Sequence, residues 1–363
     1  MRKMRNRTYL IISLVISSIL LPSFPAFYSN KVNISNLNFL KTSALTEINT
    51  TIIIDDFPGS STNWTWAKDQ GYCTGSGTLG DPYIIADLFF NTSTIFDNCL
   101  SIRNSLKYFI IRDCKFKGSY SYGGIQLFNT SFGSITNNMM YPSTGALVWL
   151  LNASYNVVYD NNASAGYYYG ILIEGSSGYA KMNHVYDNLV INNYQVGIQL
   201  MSAGCILNRI EGNTVYNSDV GIQIGSSTKN NTIVGNRIGN NTIRGISVLS
   251  ASESNNIYSN CFFNNTLHAL DDGINNKWDD GSKGNYWDNY TGLDANNDGI
   301  GDIPYNITGI AGSQDNYPLM NCPAPSIPQG IPGYELYTFV LTCVFTMIGV
   351  VLFTRKKKQQ KFN

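Results

Sequence analysis

"VGIQIGSSTKNNTIVGNRI", Val220 to Ile238, decides how this chain folds, because both of its halves recur. Gly221-Ile222-Gln223-Ile224 has counterparts at Gly197-Ile198-Gln199-Leu200 and at Gly245-Ile246-Ser247-Val248. Asn231 to Asn236 echoes Asn208 to Asn213 and Asn255 to Asn260. Followed outwards, a small residue before an apolar-x-apolar triplet starts at Cys99, Gly124, Gly145, Gly170, Gly197, Gly221 and Gly245. The steps between these positions are 25, 21, 25, 27, 24 and 24. An apolar-x-x-Asn motif places its turn residue at Cys114, Asn138, Asn161, Asn188, Asn213, Asn236 and Asn260, in steps of 24, 23, 27, 25, 23 and 24. Two independent series with one period define a solenoid.

The unit is built of strands. Ile222-Gln223-Ile224 and Ile233-Val234 alternate over a few residues and are broken by Gly, Asn and Ser, which is a strand-and-turn pattern. Two or three such strands per 24 residues close one coil, and the next coil stacks in parallel about 4.8 Å above it. The expected fold is all-β: a right-handed parallel β-helix of about eight rungs. Its inward column runs through Ile125, Leu147 or its neighbour, Ile171, Ile198, Ile222 and Ile246. Each buried Ile or Leu contributes about 1.5–3 kcal/mol, so the core exists only because the rungs stack. The Asn column is expected to occupy left-handed corners while its amides bond along the stack. A leucine-rich repeat shares the period, and "IVGNRI" fits its core, yet the leucine-spaced helical half is missing from every coil. Residues 52–82 are expected to cap the first rung, residues 83–270 to form the rungs, and residues 271–321 to cap the other end.

Net charge is zero and 13% of residues are charged, so no basic field points to nucleic acid. Both ends point to a membrane. A basic start, Met1 to Arg7, precedes the apolar run Tyr9 to Leu21, whose length of about 20 Å as a helix suits a signal peptide, assigned to residues 1–29, better than a span. A linker, residues 30–51, follows. Near the other end, Leu336 to Phe353 is uncharged and is followed by Arg355-Lys356-Lys357-Lys358. That is a transmembrane helix, placed at residues 334–354, with a cytoplasmic tail at 355–363. The four prolines of Cys322 to Gly333 make a stiff stalk. The expected location is therefore the cell membrane, single-pass, with the body outside. Twelve Asn-x-Ser/Thr sequons in the exported part accord with this, and six exported cysteines (Cys73, Cys99, Cys114, Cys205, Cys261, Cys322) allow disulfides whose pairing the spacing leaves open.

Three constellations could carry chemistry. Asp294-Ala295-Asn296-Asn297-Asp298-Gly299-Ile300-Gly301-Asp302 puts oxygen donors at calcium-loop positions 1, 3, 5 and 9, a glycine at 6, and the Ile300 carbonyl at 7. Tyr305 replaces the acid expected at position 12, so Asp315 or water is left to complete a structural Ca²⁺ shell. Beside the first strand of each rung, Arg103, Phe128, Trp149 and Glu174 are expected to form an outward column that could stack on sugar rings and bond hydroxyls. Beside the second strand, Tyr159-Asp160 and Tyr186-Asp187 fall on adjacent rungs, with Arg112-Asp113 two rungs below. Asp160 and Asp187 would then approach the carboxyl separation of a retaining glycosidase, about 5–5.5 Å. The stacked tyrosines Tyr159 and Tyr186 join the candidate ligand surface.

The late segment "NKWDDGSKGNYWDNYTGLDANNDGIGDIPYNI", with "DNYPLM" after it, resembles the C-terminal part of NosD-like β-helix proteins. These group with carbohydrate-binding and sugar-hydrolysis β-helix repeats. The order of signal peptide, "GTLGDPYII" entry, rungs, cap, stalk and terminal helix resembles surface proteins of archaea. The resemblance implies a membrane-anchored β-helix that binds surface glycans or neighbouring surface proteins, or alternatively a polysaccharide hydrolase or lyase. It also implies copper handling, but soft ligands are few: His184, His268 and the pair Met139-Met140.

Overall fold

In Val220–Ile224, Ile222 and Ile224 are fully buried while Gln223 faces outward, so the alternation read from sequence becomes a strand with one face in a core. The strand pairs in parallel with its counterparts on either side, Ile222 matching Ile198 below and Ile246 above. The computed structural model describes residues 45–92, 98–118, 123–143, 145–176 and 179–323. Among the described residues, no helix is long and apolar enough to cross a membrane. The expected signal peptide, most of the linker and stalk, the expected transmembrane helix and the basic tail lie outside them.

Three parallel sheets run the length of the stack. The first has nine strands, from Ile52–Asp55 to Ala269–Asp271, and the second has eight, from Tyr83–Ala86 to Asn256–Tyr258. The third is built from short strands such as Leu88–Asn91, Leu189–Ile191 and Cys261–Phe263, with single bridges through Asn162 joining its two parts. Strands occupy every wall, so the leucine-rich alternative is excluded. The core is a set of vertical columns, for example Ile85, Ile111, Ile135, Val158, Val185, Ile210, Ile233 and Ile257 in the second sheet, all at most 1% exposed. Large rings sit near the ends: Phe90 stacks on Phe116 at 4.7 Å, and Phe262 on Trp287 at 4.3 Å.

The Asn column is a continuous hydrogen-bond ladder inside the wall. From Asn138 through Asn161, Asn188, Asn213, Asn236 and Asn260 to Asn285, each backbone N–H donates to the next Oδ1 at 2.9–3.1 Å. Each Nδ2 donates to the same acceptor and to a carbonyl of the rung below, so buried polar groups at the corner are satisfied. A second ladder runs through Asn156, Asn183, Asn208, Asn231, Asn255 and Asn276. The left-handed residue is not the ladder asparagine, as expected from sequence, but the one before it. Asp113, Asn137, Asp160, Asp187, Gly212, Gly235 and Ser259 have φ between 52° and 65°. That turn points the asparagine inward, where its amide can reach the neighbouring rungs.

Two boundaries also move. Ile52–Asp55, expected in the cap, is the first strand of the first sheet and pairs with Leu100–Arg103. Thr46–Ile48, expected in the linker, pairs with Leu88–Phe90 and extends the third sheet by one strand. The open end is plugged instead by the loop after Asp55, whose helix Trp64–Asp69 buries Trp64 against Tyr83 at 4.4 Å and Phe109 at 5.4 Å. At the far end Cys261 and Cys322 form a disulfide, tying the end of the described chain to the third sheet.

Candidate ligand-binding site

The outer face of the first sheet carries a groove of about 250 Å³. Its floor starts on the column Asn98, Gly123, Ala146 and Tyr169, which follows from the pairing of Leu100 with Ile125, Ile125 with Val148 and Ala146 with Tyr169. Gly123 contributes no side chain and Ala146 only a methyl group, so the trough is shallow-walled below and bounded above by larger groups. Gly145, Trp149, Leu172, Glu174, Met201 and Tyr168 complete the lining. Trp149 Nε1 donates to Glu174 Oε2 at 3.2 Å, which fixes the indole and the carboxylate relative to one another.

Register corrects the column expected from sequence. Arg103, Phe128 and Glu174 do align, but Leu151 is the residue between Phe128 and Glu174. Trp149 lies one outward position earlier, beside Gln126 and Leu172. The slip has a local cause: Gly145-Ala146 imitates the repeat's small residue, whereas the glycine column is continued by Leu147, and Val148 takes the inward place. Trp149 and Glu174 meet nonetheless, because residues two apart on a strand share a face. Arg103 and Phe128 share rungs with Asn98 and Gly123 but are not part of the groove lining.

Tyrosines missed in the sequence reading dominate the rim. In "GYYYG", Gly166 to Gly170, Tyr168 and Tyr169 line the groove, and Tyr167 meets Tyr168 edge-on at 5.1 Å. Tyr167 stacks in turn on Tyr194 of the next rung at 4.8 Å. Tyr167, Tyr168 and Tyr194 are 46%, 42% and 60% exposed, leaving ring surface available to a ligand. Three consecutive tyrosines entering a strand were the available signal, since alternation must send at least one of them outward.

On the second sheet, Tyr159 pairs with Tyr186, their rings stack at 4.9 Å, and Asp160 and Asp187 follow them on adjacent rungs. Burial raises the pKa of both carboxyls, and the charges of Asp160 and Glu211 help push Asp187 up to about 6. Asp187 leans over Gly212, where a Cβ would lie 2.6 Å from its Oδ1. Arg112 and Asp113 form an ion pair two rungs below Asp160, and Asn137 Nδ2 donates to Asp113 between them. Sequence reading missed the neighbouring network. Glu211 is 1% exposed and accepts from Arg209 Nε at 2.7 Å, Arg209 Nη2 at 2.9 Å and His184 Nε2 at 2.9 Å. Burial pushes Glu211 up, but these bonds outweigh it and hold the carboxyl down at about 2. The groove on the first sheet includes none of these groups.

The loop from Asp294 to Asp302 wraps around its own acidic side chains. Asp294 accepts from the N–H groups of Asp298 and Gly299, Asn296 from Asp298, Asp298 from Ile300, and Asp302 from Ala295. Asp315 does not complete this loop: it is fully buried, and its oxygens accept from Asn285, Trp287 and Tyr317. Among the described residues, no three His, Cys, Asp or Glu side chains converge as metal ligands.

Two family models match this chain. One is described as "Right handed beta helix region" and covers residues 86–208; the other, "Periplasmic copper-binding protein (NosD)", covers residues 177–292. The chain is a NosD-like right-handed β-helix repeat protein. No curated protein matches it. Among solved structures it is similar to the Dettilon tailspike protein, at 16% identity and a TM-score of 0.40, over 56% of this chain and 50% of that one. It is similar also to the A-module of the Azotobacter vinelandii mannuronan C-5 epimerase AlgE6, at 9% identity and a TM-score of 0.37, over 53% and 68%. A PL6 alginate lyase solved with a trisaccharide gives 15% identity and a TM-score of 0.33, over 72% and 63%. The match thus spans about half the tailspike's length. In this NosD-like protein the histidine and cysteine donors are dispersed among the described residues. His184 is held by Glu211, His268 Nε2 by Asp288 at 2.8 Å, and the free thiols are buried, Cys73 in the plug at the open end and Cys99, Cys114 and Cys205 in the rungs.

Proposed function

We propose that this NosD-like protein is a cell-surface glycan-binding module. The observation that carries the reading is the first-sheet groove, where Trp149, Tyr168 and Tyr169 surround a carboxylate on a rigid sheet. Aromatic faces stack on the C–H faces of pyranose rings, while Glu174 accepts from hydroxyls, and a preformed concave site lowers the entropic cost of binding. In a glycan array, the protein is expected to retain a subset of oligosaccharides without turnover, and Trp149→Ala to weaken binding about tenfold or more. Retention unchanged by Trp149→Ala would place binding elsewhere.

The proposal includes an exported body held to the membrane by the segment around Leu336 to Phe353, with its basic tail inside. It also includes a structural Ca²⁺ in the Asp294–Asp302 loop, supported by hard oxygen donors at the template spacing. Protease shaving of intact cells that leaves the body untouched would overturn the first. A melting temperature that does not rise with added Ca²⁺ would overturn the second.

A second reading, polysaccharide hydrolysis, is favoured by Asp160 and Asp187. Two carboxyls on adjacent rungs, one raised to about 6, suit an acid/base and nucleophile pair. Release of reducing ends that disappears in both Asp160→Asn and Asp187→Asn would support it; release that survives either change would not.

A further inference from the structure

We infer that the first-sheet groove takes an uncharged or amino-bearing glycan laid parallel to the solenoid axis, and that it discriminates against polyuronates. This rests on the glycan-binding reading and specifies its ligand. The direction follows from register. Asn98, Gly123, Ala146 and Tyr169 are one column on four successive rungs, so the floor runs along the axis. Three strand spacings make a track of about 14 Å, room for a short run of sugar units rather than a single ring. Trp149 and Leu172 form a second column beside it, and Glu174 and Met201 a third, so the walls also follow the axis. A ligand crossing the strands would instead have to climb from the floor over Trp149.

The charge preference follows from the lining. Among the described residues that line it, Glu174 is the one acidic residue, and no Lys, Arg or His contributes. Trp149 Nε1 holds Glu174 Oε2, and no other hydrogen bond to the carboxylate is present among the described residues, which leaves Oε1 to meet a ligand donor. Burial, followed by the Glu174 charge, pushes the Tyr169 phenol above its usual range, so it stays a neutral hydroxyl. A sugar hydroxyl or ammonium can donate to Glu174 and lie against the aromatic faces. A chain carrying a carboxylate on every ring would place like charges beside Glu174, where the described lining holds no cation; Arg103, on the rung of Asn98 and outside the lining, turns to Ser101.

The test is calorimetric titration of the full-length protein in detergent with hexamers of glucose, glucosamine, mannuronate and galacturonate. The neutral and amino hexamers are expected to bind at least about tenfold more tightly than either uronate at low salt, with the gap narrowing as salt rises. Glu174→Gln, which keeps an acceptor for Trp149, is expected to bring the uronates within about threefold of the neutral hexamer and to weaken the glucosamine hexamer about tenfold. Affinity should stop rising beyond about four sugar units. Uronates binding more tightly than neutral hexamers, with that binding lost in Trp149→Ala, would overturn this inference while leaving the groove a glycan site. Absence of binding by all four hexamers would overturn both.

Discussion

Asn285 and Asp315 close the main amide ladder: the Asn285 N–H donates to Asp315 Oδ2 at 2.7 Å, where every lower rung offers an asparagine Oδ1. An asparagine needs a partner above it for its own amide hydrogens. A carboxylate accepts only, so it can end the series without leaving a buried donor unmet. Asp271 ends an inward column in the same way. It follows Val248 in register, is fully buried, and accepts from Gly273, Asn276, Trp278 and Ser313. Both carboxylates thus join the last rung to the capping segment.

Replacing Asp315 with Ala should strand the Asn285 N–H, the Tyr317 N–H and the Trp287 indole N–H, at a cost of about 3 kcal/mol or more in urea unfolding. Burial raises Asp315 from an ordinary 3.8 to about 6. Between those values the folded chain holds the extra proton, so this group adds stability as pH falls from 7 towards 4 and loses it as pH rises through 6. Asp315→Asn should abolish that part of the pH profile. An unchanged profile would mean Asp315 is not titrating there.

Within the ladder, Asn188→Ala removes an acceptor for Asn161 and donors to Val158, Tyr186 and Asn213. The expected loss is about 3 kcal/mol or more, against less than about 1 kcal/mol for Asn217→Ala, whose amide bonds on the exposed surface. Equal effects at the two sites would show that the interior ladder is not a principal source of stability.

Glu211 gives the opposite pH signature to Asp315. Its carboxyl is held at about 2 against an ordinary 4.5, so its contribution is complete above 4.5 and lost as pH falls towards 2. Glu211→Gln should lower stability at neutral pH by about 2 kcal/mol or more, because His184 and Arg209 lose their shared anion, and should flatten the acid limb. Chemical denaturation at pH 3 and at pH 7 measures both.

The cysteines should divide cleanly. Burial pushes the thiols of Cys73 and Cys99 up to about 11, and those of Cys114 and Cys205 up to about 12, so native protein should not alkylate at these four until denatured. Cys322→Ser should destabilise the cap by roughly 2–4 kcal/mol, since the disulfide closes a loop with a sequence separation of 61. Native labelling of any of the four would contradict the burial; an unchanged melting temperature in Cys322→Ser would contradict the staple.

The repeat alone specifies the coil. A period near 24 with alternating apolar positions can bury its side chains only by stacking, so the solenoid, the Ile and Val columns and the neighbouring places of Asp160 and Asp187 were legible in it. Tertiary structure alone decided what depends on register and on chain return. Leu147 entered the glycine column and moved Trp149 away from the Phe128 and Glu174 column, yet their shared outward face still joined Trp149 to Glu174. Cys261 found Cys322, and Asp315 met Asn285, only because the capping segment folds back across the last rung. Periodicity fixes which face a residue takes, because that is a local property of the strand. Which residue lies above it depends on loop lengths and on backbone hydrogen bonds between coils, and these are settled only when the coils pack.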